Sequence, residues 1–122
     1  MRGGSRQTIG LWGEDRAAEL LESKGYGIIA RRFRVREGEI DLVAAGHGYL
    51  CFVEVKLRKD ETMGQAREYV TLSKQKKVRT AAMRYLMRYP TELQPRFDVV
   101  EVYAPQGTKT ENPIIRHWEN AF

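Results

Sequence analysis

Residues 38–58 read GEIDLVAAGHGYLCFVEVKLR. Glu39–Ala45 and Leu50–Arg58 are rich in β-formers, and Gly46-His47-Gly48 between them is a turn signal, so the stretch predicts a β-hairpin. Strand side chains alternate between faces. Glu54 and Lys56 therefore share one face of the second strand, with Val53, Val55 and Leu57 on the other, and Asp41 points away from Ile40 and Leu42. If Ala45 pairs with Leu50, Asp41 falls opposite Glu54. Two carboxylates then lie side by side, with an ammonium one pleat further along.

Adjacent carboxylates repel unless a cation neutralises them. A hard divalent ion suits this task, because Mg²⁺ takes one or two protein carboxylates and completes its shell with water and phosphate oxygens. Such an ion lowers the pKa of a bound water, and a nearby lysine can orient that water or stabilise charge developing on a phosphate. The same alternation also describes any half-exposed strand with ordinary cross-strand Glu–Lys pairing. Spacing alone favours the ordinary strand.

Outward from the hairpin, Leu11–Lys24 carries apolar residues near helical spacing and ends at Gly25, a helix-stop residue. Tyr26–Val35 reads as a strand made unusually basic by Arg31, Arg32 and Arg34, with Arg36 just beyond it. Lys59–Tyr69 is polar and reads as a loop. A second long helix is expected from a Ser73 cap to about Tyr89, before Pro90, with Val78, Ala82, Tyr85, Leu86 and Tyr89 as its buried stripe. Phe97–Tyr103 and Ile114–Trp118 read as strands around a loop containing Pro, Gly and Thr. The order is α-β-β-β-α-β-β.

The 122 residues fit one domain, expected over 10–122 behind a flexible leader at 1–9. No apolar run approaches the ~20 residues that span a bilayer, and the start has no apolar signal region. A membrane protein is therefore not expected, and one cysteine, Cys51, excludes an intrachain disulfide framework and suits the reducing cytoplasm. Lys and Arg total 21 against 16 acids, a net charge of +5, which permits polyanion binding without requiring it. Lys77, Arg84 and Arg88 cluster on one side of the second helix, either as a phosphate-contacting face or as a solvated one. Trp12 and Tyr69 are candidates for base stacking, with packing the competing role. His47 and His117 lack metal-ligand spacing, Cys51 reads as a core thiol, and Asp98 reads as a structural partner of Arg96.

An Asp on one strand followed by Glu-x-Lys on the next resembles the signature of the PD-(D/E)XK nuclease superfamily. More closely, the chain resembles the YraN-like family of small bacterial proteins. The residues that carry this are Gly13-Glu14-Asp15 with Ala17 and Ala18, Gly25-Tyr26, Gly38-Glu39-Ile40-Asp41, Phe52-Val53-Glu54-Val55-Lys56 with Arg58, Lys74, Arg96-Phe97-Asp98-Val99 and Asn120-Ala121-Phe122. The resemblance implies an α/β, restriction-endonuclease-like fold in three α/β/α layers around a central mixed sheet. It is similar to archaeal Holliday junction resolvases, in which an acid on the first helix joins the set; Glu14 matches that position.

The resemblance implies catalytic Glu14, Asp41, Glu54 and Lys56, with Asp41 and Glu54 holding Mg²⁺ or Mn²⁺. DNA or structured nucleic acid is the expected substrate, the alternative being a non-catalytic nucleic-acid-binding or protein-interaction module on the same fold. Arg32, Arg34, Arg36, Arg58, Lys74 and Lys77 are its candidate contacts. A symmetric homodimer is expected if two strands are cut, and a protein partner if so small a surface needs help in substrate selection. The sequence departs from the pattern at three places: Ile40 stands where the superfamily has proline, Arg32 where the family commonly has asparagine, and Leu57 where threonine is frequent.

Overall fold

The hairpin forms as β2 (Gly38–Gly46) and β3 (Tyr49–Arg58), antiparallel, with Ala45 opposite Leu50. Its two-residue connection, His47-Gly48, has φ of 55° and 84°, the positive pair that matches the right-handed twist of flanking strands. A histidine is costly there. It is held by its Nε2–H, which donates to the Lys24 carbonyl at 2.7 Å, and by edge-to-face contact with Tyr26.

A computed structural model describes residues 6–59 and 70–122. Helix α1 (Arg6–Ser23) leads into β1 (Gly27–Val35), which pairs antiparallel with β2. Helix α2 (Leu72–Arg88) then returns the chain so that β4 (Gln94–Tyr103) runs parallel to β3, from Tyr49↔Gln94 to Arg58↔Tyr103. After a short 3-10 turn at Gly107–Lys109, β5 (Ile114–Trp118) pairs antiparallel with β4. The result is a mixed five-stranded sheet in the order β1-β2-β3-β4-β5 with two helices.

Local chemistry sets the helix ends. At the end of α1, Gly25 has φ of 95°; its N–H donates to the Glu22 carbonyl and that of Tyr26 to the Leu21 carbonyl, each at 3.0 Å. This satisfies carbonyls that the helix leaves open. The start lies at Arg6, so residues 6–9, read as leader, extend the helix. The α2 cap also differs from expectation. Thr71, not Ser73, supplies the side-chain oxygen, which accepts from the Lys74 N–H at 3.1 Å, and Ser73 lies within the first turn. The buried residues of α2 are Val78, Ala81, Ala82 and Tyr85, while Tyr89 is exposed. Apart from Lys59, the expected loop Lys59–Tyr69 lies outside the described residues, Tyr69 included.

Each helix covers one face of the sheet. Ala17, Ala18 and Leu21 of α1 pack with Leu42, Ala44, Cys51, Val53, Val100 and Val102. The α2 residues pack with Ile40, Val43, Leu50 and Phe52. Cys51 is fully buried, and Trp12 packs against the α1 side.

Alternation assigns Leu42 and Val43 to opposite faces, as expected. Ile40, however, joins Val43 on the α2 side although the two lie an odd number of residues apart. On the neighbouring strand Ala30 and Phe33 show the same slip. Between these pairs sit Asp41 and Arg32, and Arg32 has φ of 52°. A left-handed residue on β1 thus breaks the pleat beside Asp41. Asparagine adopts this conformation more readily than most residues, so Arg32 holds it at some cost.

Candidate functional site

The β2–β3 ladder runs from Gly46↔Tyr49 to Leu42↔Val53 and stops one pair short of Asp41 and Glu54. Asp41 turns to the neighbouring backbone instead, where its Oδ2 accepts the Val55 N–H at 2.8 Å. Its carboxylate therefore lies against β3 next to Glu54. Glu54 and Lys56 project on the α2 side, as Phe52 does, and Lys74 of α2 places Nζ 3.6 Å from Glu54 Oε1. Gly38 makes this approach possible: a Cβ there would meet the Lys77 carbonyl oxygen at 2.8 Å.

Glu14 comes from α1. Its Oε1 accepts from Arg32 Nε at 3.0 Å, and its side chain is nearly buried. The close approach of α1 to β3 depends on Gly13, where a Cβ would stand 2.9 Å from Leu57 Cδ2. The left-handed turn at Arg32 thus aims its guanidinium at Glu14, on the flank of Asp41.

The electrostatics of the group are one-sided. Burial raises the Asp41 carboxyl from 3.8 to about 7, and the negative charge of Glu54 adds to the rise. The Val55 N–H and Lys74 oppose it, and Glu14 reinforces it. Glu54 is likewise raised, chiefly by burial, while Lys74 and Lys56 pull it down. Two desolvated carboxylates here compete for too little positive charge. Among the described residues no three His, Cys, Asp or Glu side chains converge to hold a metal ion; the centre is a pair. A carboxylate pair is a donor set that Mg²⁺ or Mn²⁺ accepts, with water and phosphate oxygens completing the shell.

The candidate phosphate contacts separate in space. Lys74 adjoins Glu54, and Lys77 is exposed one turn further along α2. Arg34 is exposed and pairs with Glu39 at 3.0 Å, and Arg36 is exposed beyond the end of β1. Arg32 is committed to Glu14. Arg58 differs from the expectation of a surface contact: its side chain is only 9% exposed and its Nε donates to Glu101 at 2.9 Å.

Two buried carboxylates on β4 escaped or outgrew the sequence reading. Glu101 was missed entirely. It is fully buried opposite Lys56 in the parallel ladder, and it accepts from Arg58, the Tyr103 hydroxyl (3.0 Å) and Trp118 Nε1 (2.6 Å). Asp98 pairs with Arg96 as expected, through bonds of 2.9 and 2.8 Å, but it also accepts from His117 Nε2 at 2.7 Å and the Asn120 N–H at 3.0 Å. Burial pushes the Asp98 carboxyl up; the donors from His117, Arg96 and Asn120 outweigh this and bring it down to about 2. Burial, with Asp98 close by, pushes the Cys51 thiol up to about 12, so it stays a thiol. The missed signal was positional: an acid in a central strand covered on both faces must be buried, and so must be partnered.

Fold and site together define a small α/β protein whose central hairpin ends in a carboxylate pair, Glu54 buried and Asp41 half-buried, flanked by Lys56 and Lys74. A family model described as "Uncharacterised protein family UPF0102" matches residues 13–102. The UPF0102 protein of Symbiobacterium thermophilum is 50% identical over 115 residues, covering 93% of this chain and 95% of its own. That of Lachnoclostridium phytofermentans is 44% identical over 120 residues (97% and 95%), and one from Acinetobacter baumannii strain AYE is 45% identical over 102 residues (82% and 77%). The chain belongs to the UPF0102 family, the YraN-like family to which its motifs pointed.

Proposed function

We propose that this chain is a metal-dependent phosphodiesterase acting on nucleic acid, DNA foremost, built as a restriction-endonuclease-like three-layer fold of the PD-(D/E)XK superfamily. The observation that carries this is the pairing of Asp41 with Glu54, both desolvated and mutually repelling, beside Lys56. Asp41 and Glu54 would hold Mg²⁺ or Mn²⁺, which when bound supplies a more acidic water and charge neutralisation at the scissile phosphate.

The protein's own groups do the rest. Val55 N–H fixes the Asp41 carboxylate, leaving its other oxygen free to point into the site. Lys56, on the face of Glu54, donates to the attacking water or to the phosphate oxygen where charge develops. Glu14 orients a water from the α1 side, its carboxylate held in place by Arg32. Lys74 and Lys77 grip phosphates along α2, and Arg34 and Arg36 extend the basic surface past the end of β1; such contacts position the strand without reading its bases. No helix among the described residues is long and apolar enough to cross a membrane, and the proposed setting is the cytoplasm.

The test incubates the protein with branched, single-stranded and duplex DNA, with Mg²⁺ or Mn²⁺ and with neither, beside Asp41→Asn and Lys56→Met. Metal-dependent cleavage lost in both variants supports the reading. Cleavage that survives both belongs to a contaminant and sinks the site. One observation favours a second reading, a non-catalytic nucleic-acid-binding module: Lys74 already provides Glu54 with a cation. Salt-sensitive binding without cleavage, and without calorimetric uptake of Mn²⁺ that depends on Glu54, would establish that alternative.

A further inference from the structure

The two edges of α2 differ. On the side toward β1 and β2, Arg84 is paired with Glu37 at 2.5 Å. On the opposite side Arg79, Met83, Leu86 and Met87 recur at three- and four-residue spacings, so they form one stripe. Met83 is 63% and Met87 77% exposed, an unusual cost for two neighbouring apolar side chains. Beside the stripe lies a groove of roughly 320 Å³, floored by Phe52, Ala82, Leu86, Pro95 and Phe97.

Arg79 stands at its rim. Its guanidinium carbon sits 4.7 Å from the centre of the Phe97 ring and 5.8 Å from that of Phe122, which hold it in place. It forms no ion pair with any described residue. Lys76, exposed, continues the positive charge one turn toward the start of the helix. The groove therefore combines an apolar floor, Met83 at its rim with Met87 one turn further along the helix, and an oriented guanidinium that has no ion pair among the described residues.

We propose that this groove docks an acidic, apolar-anchored peptide segment of a partner protein, with an aromatic or aliphatic side chain on Phe97 and Leu86 and a carboxylate on Arg79. Methionine and arginine are enriched where proteins meet, and a preoriented arginine accepts a carboxylate bidentately. Charge decides among occupants. A second copy meeting this face through a two-fold axis would bring Arg79 and Lys76 of both chains together. A phosphate backbone gains nothing from the exposed methionines. Phe52 lies two residues before Glu54 on the same face, so a docked partner sits beside the carboxylate pair. The inference does not depend on that pair being catalytic.

The probe is a synthetic amphipathic peptide with Leu and Phe along one side and Glu on the other, compared with its Lys-for-Glu counterpart. Methyl NMR of the full chain should show shifts at Met83 and Met87 on adding the acidic peptide only. Met83→Glu and Arg79→Gln, at unchanged melting temperature, should each weaken fluorescence-anisotropy binding about tenfold or more, which corresponds to about 1.4 kcal/mol. Equal binding of the basic peptide, or shifts confined to other surfaces, overturns the proposal. So does a dimer in sedimentation that Met83→Glu dissolves, which assigns the face to a second copy. Single-stranded DNA binding weakened by Met83→Glu, with no acidic-peptide binding, assigns it to nucleic acid and equally overturns it.

Discussion

Replacing Asp41 by asparagine should make the protein more stable while abolishing its proposed chemistry. Asp41 holds its proton more tightly folded than unfolded, because burial and Glu54 raise it from 3.8 to about 7. Between those values the folded state binds more protons than the unfolded one. The stability associated with this group is thus complete below pH 3.8 and is lost as pH rises through 7. The interval is about three pH units at ~1.36 kcal/mol each, so about 4 kcal/mol at most is forfeited at pH 8. Titration shared with Glu54 reduces what one substitution recovers to about 2–3 kcal/mol.

The asparagine side chain would keep an oxygen for the Val55 N–H, so the geometry survives. Urea unfolding should show wild type weakening from pH 5 to pH 8 and Asp41→Asn much less so. At pH 8 the variant should melt roughly 10 °C higher, at ~4 °C per kcal/mol for a chain of this size. Mg²⁺ or Mn²⁺ should stabilise wild type and not the variant, since a ligand stabilises only the state it binds. Unchanged or lower stability of Asp41→Asn at pH 8, with a flat wild-type profile, would refute the argument that the carboxylates are held in mutual repulsion.

Arg32→Asn relieves about 1 kcal/mol of backbone strain but strips buried Glu14 of a charged hydrogen bond worth ~1.5–3 kcal/mol. Net destabilisation near ~1 kcal/mol is expected in urea unfolding, and adding Glu14→Gln should restore it. Glu101→Gln removes the buried carboxylate charge that accepts from Arg58, Tyr103 and Trp118 and should cost about 3 kcal/mol, whereas Glu101→Leu combined with Arg58→Met should recover most of that. Asp98, held down to about 2, contributes stability that is complete above pH 3.8 and lost as pH falls toward 2, about 2 kcal/mol in all. Asp98→Asn should therefore lower stability at pH 7 and flatten the acid limb of a denaturation profile followed by circular dichroism.

The hairpin was legible because its signals are local: period-two alternation and a glycine-flanked turn at Gly46-His47-Gly48. Those signals placed β2 and β3, and the Ala45–Leu50 register, a condition of the sequence argument, is the one the strands adopt. The Thr71 cap was harder, since Thr71 and Ser73 carry the same chemistry two residues apart and only the helix's first turn decides between them. Alternation also failed at Arg32 and Asp41, where a left-handed residue on one strand resets the face of its neighbour; no periodicity rule anticipates that. Glu101 and the wider Asp98 network were hidden for a different reason. Their partners Arg58, Trp118 and His117 lie on other strands and meet them only once α2 has brought β4 alongside β3 and β5 has closed the far side.

The left-handed turn at Arg32 also governs the outer margin of the sheet. β1 is an edge strand whose pairing shifts between Ile28 and Ala30 and whose pleat breaks again at Arg32. A strand approaching from solution would have to lose register twice along nine residues, while meeting a row of arginines. Sheet-to-sheet pairing of neighbouring molecules is therefore disfavoured along this border, which leaves β5 as the more regular of the two edges.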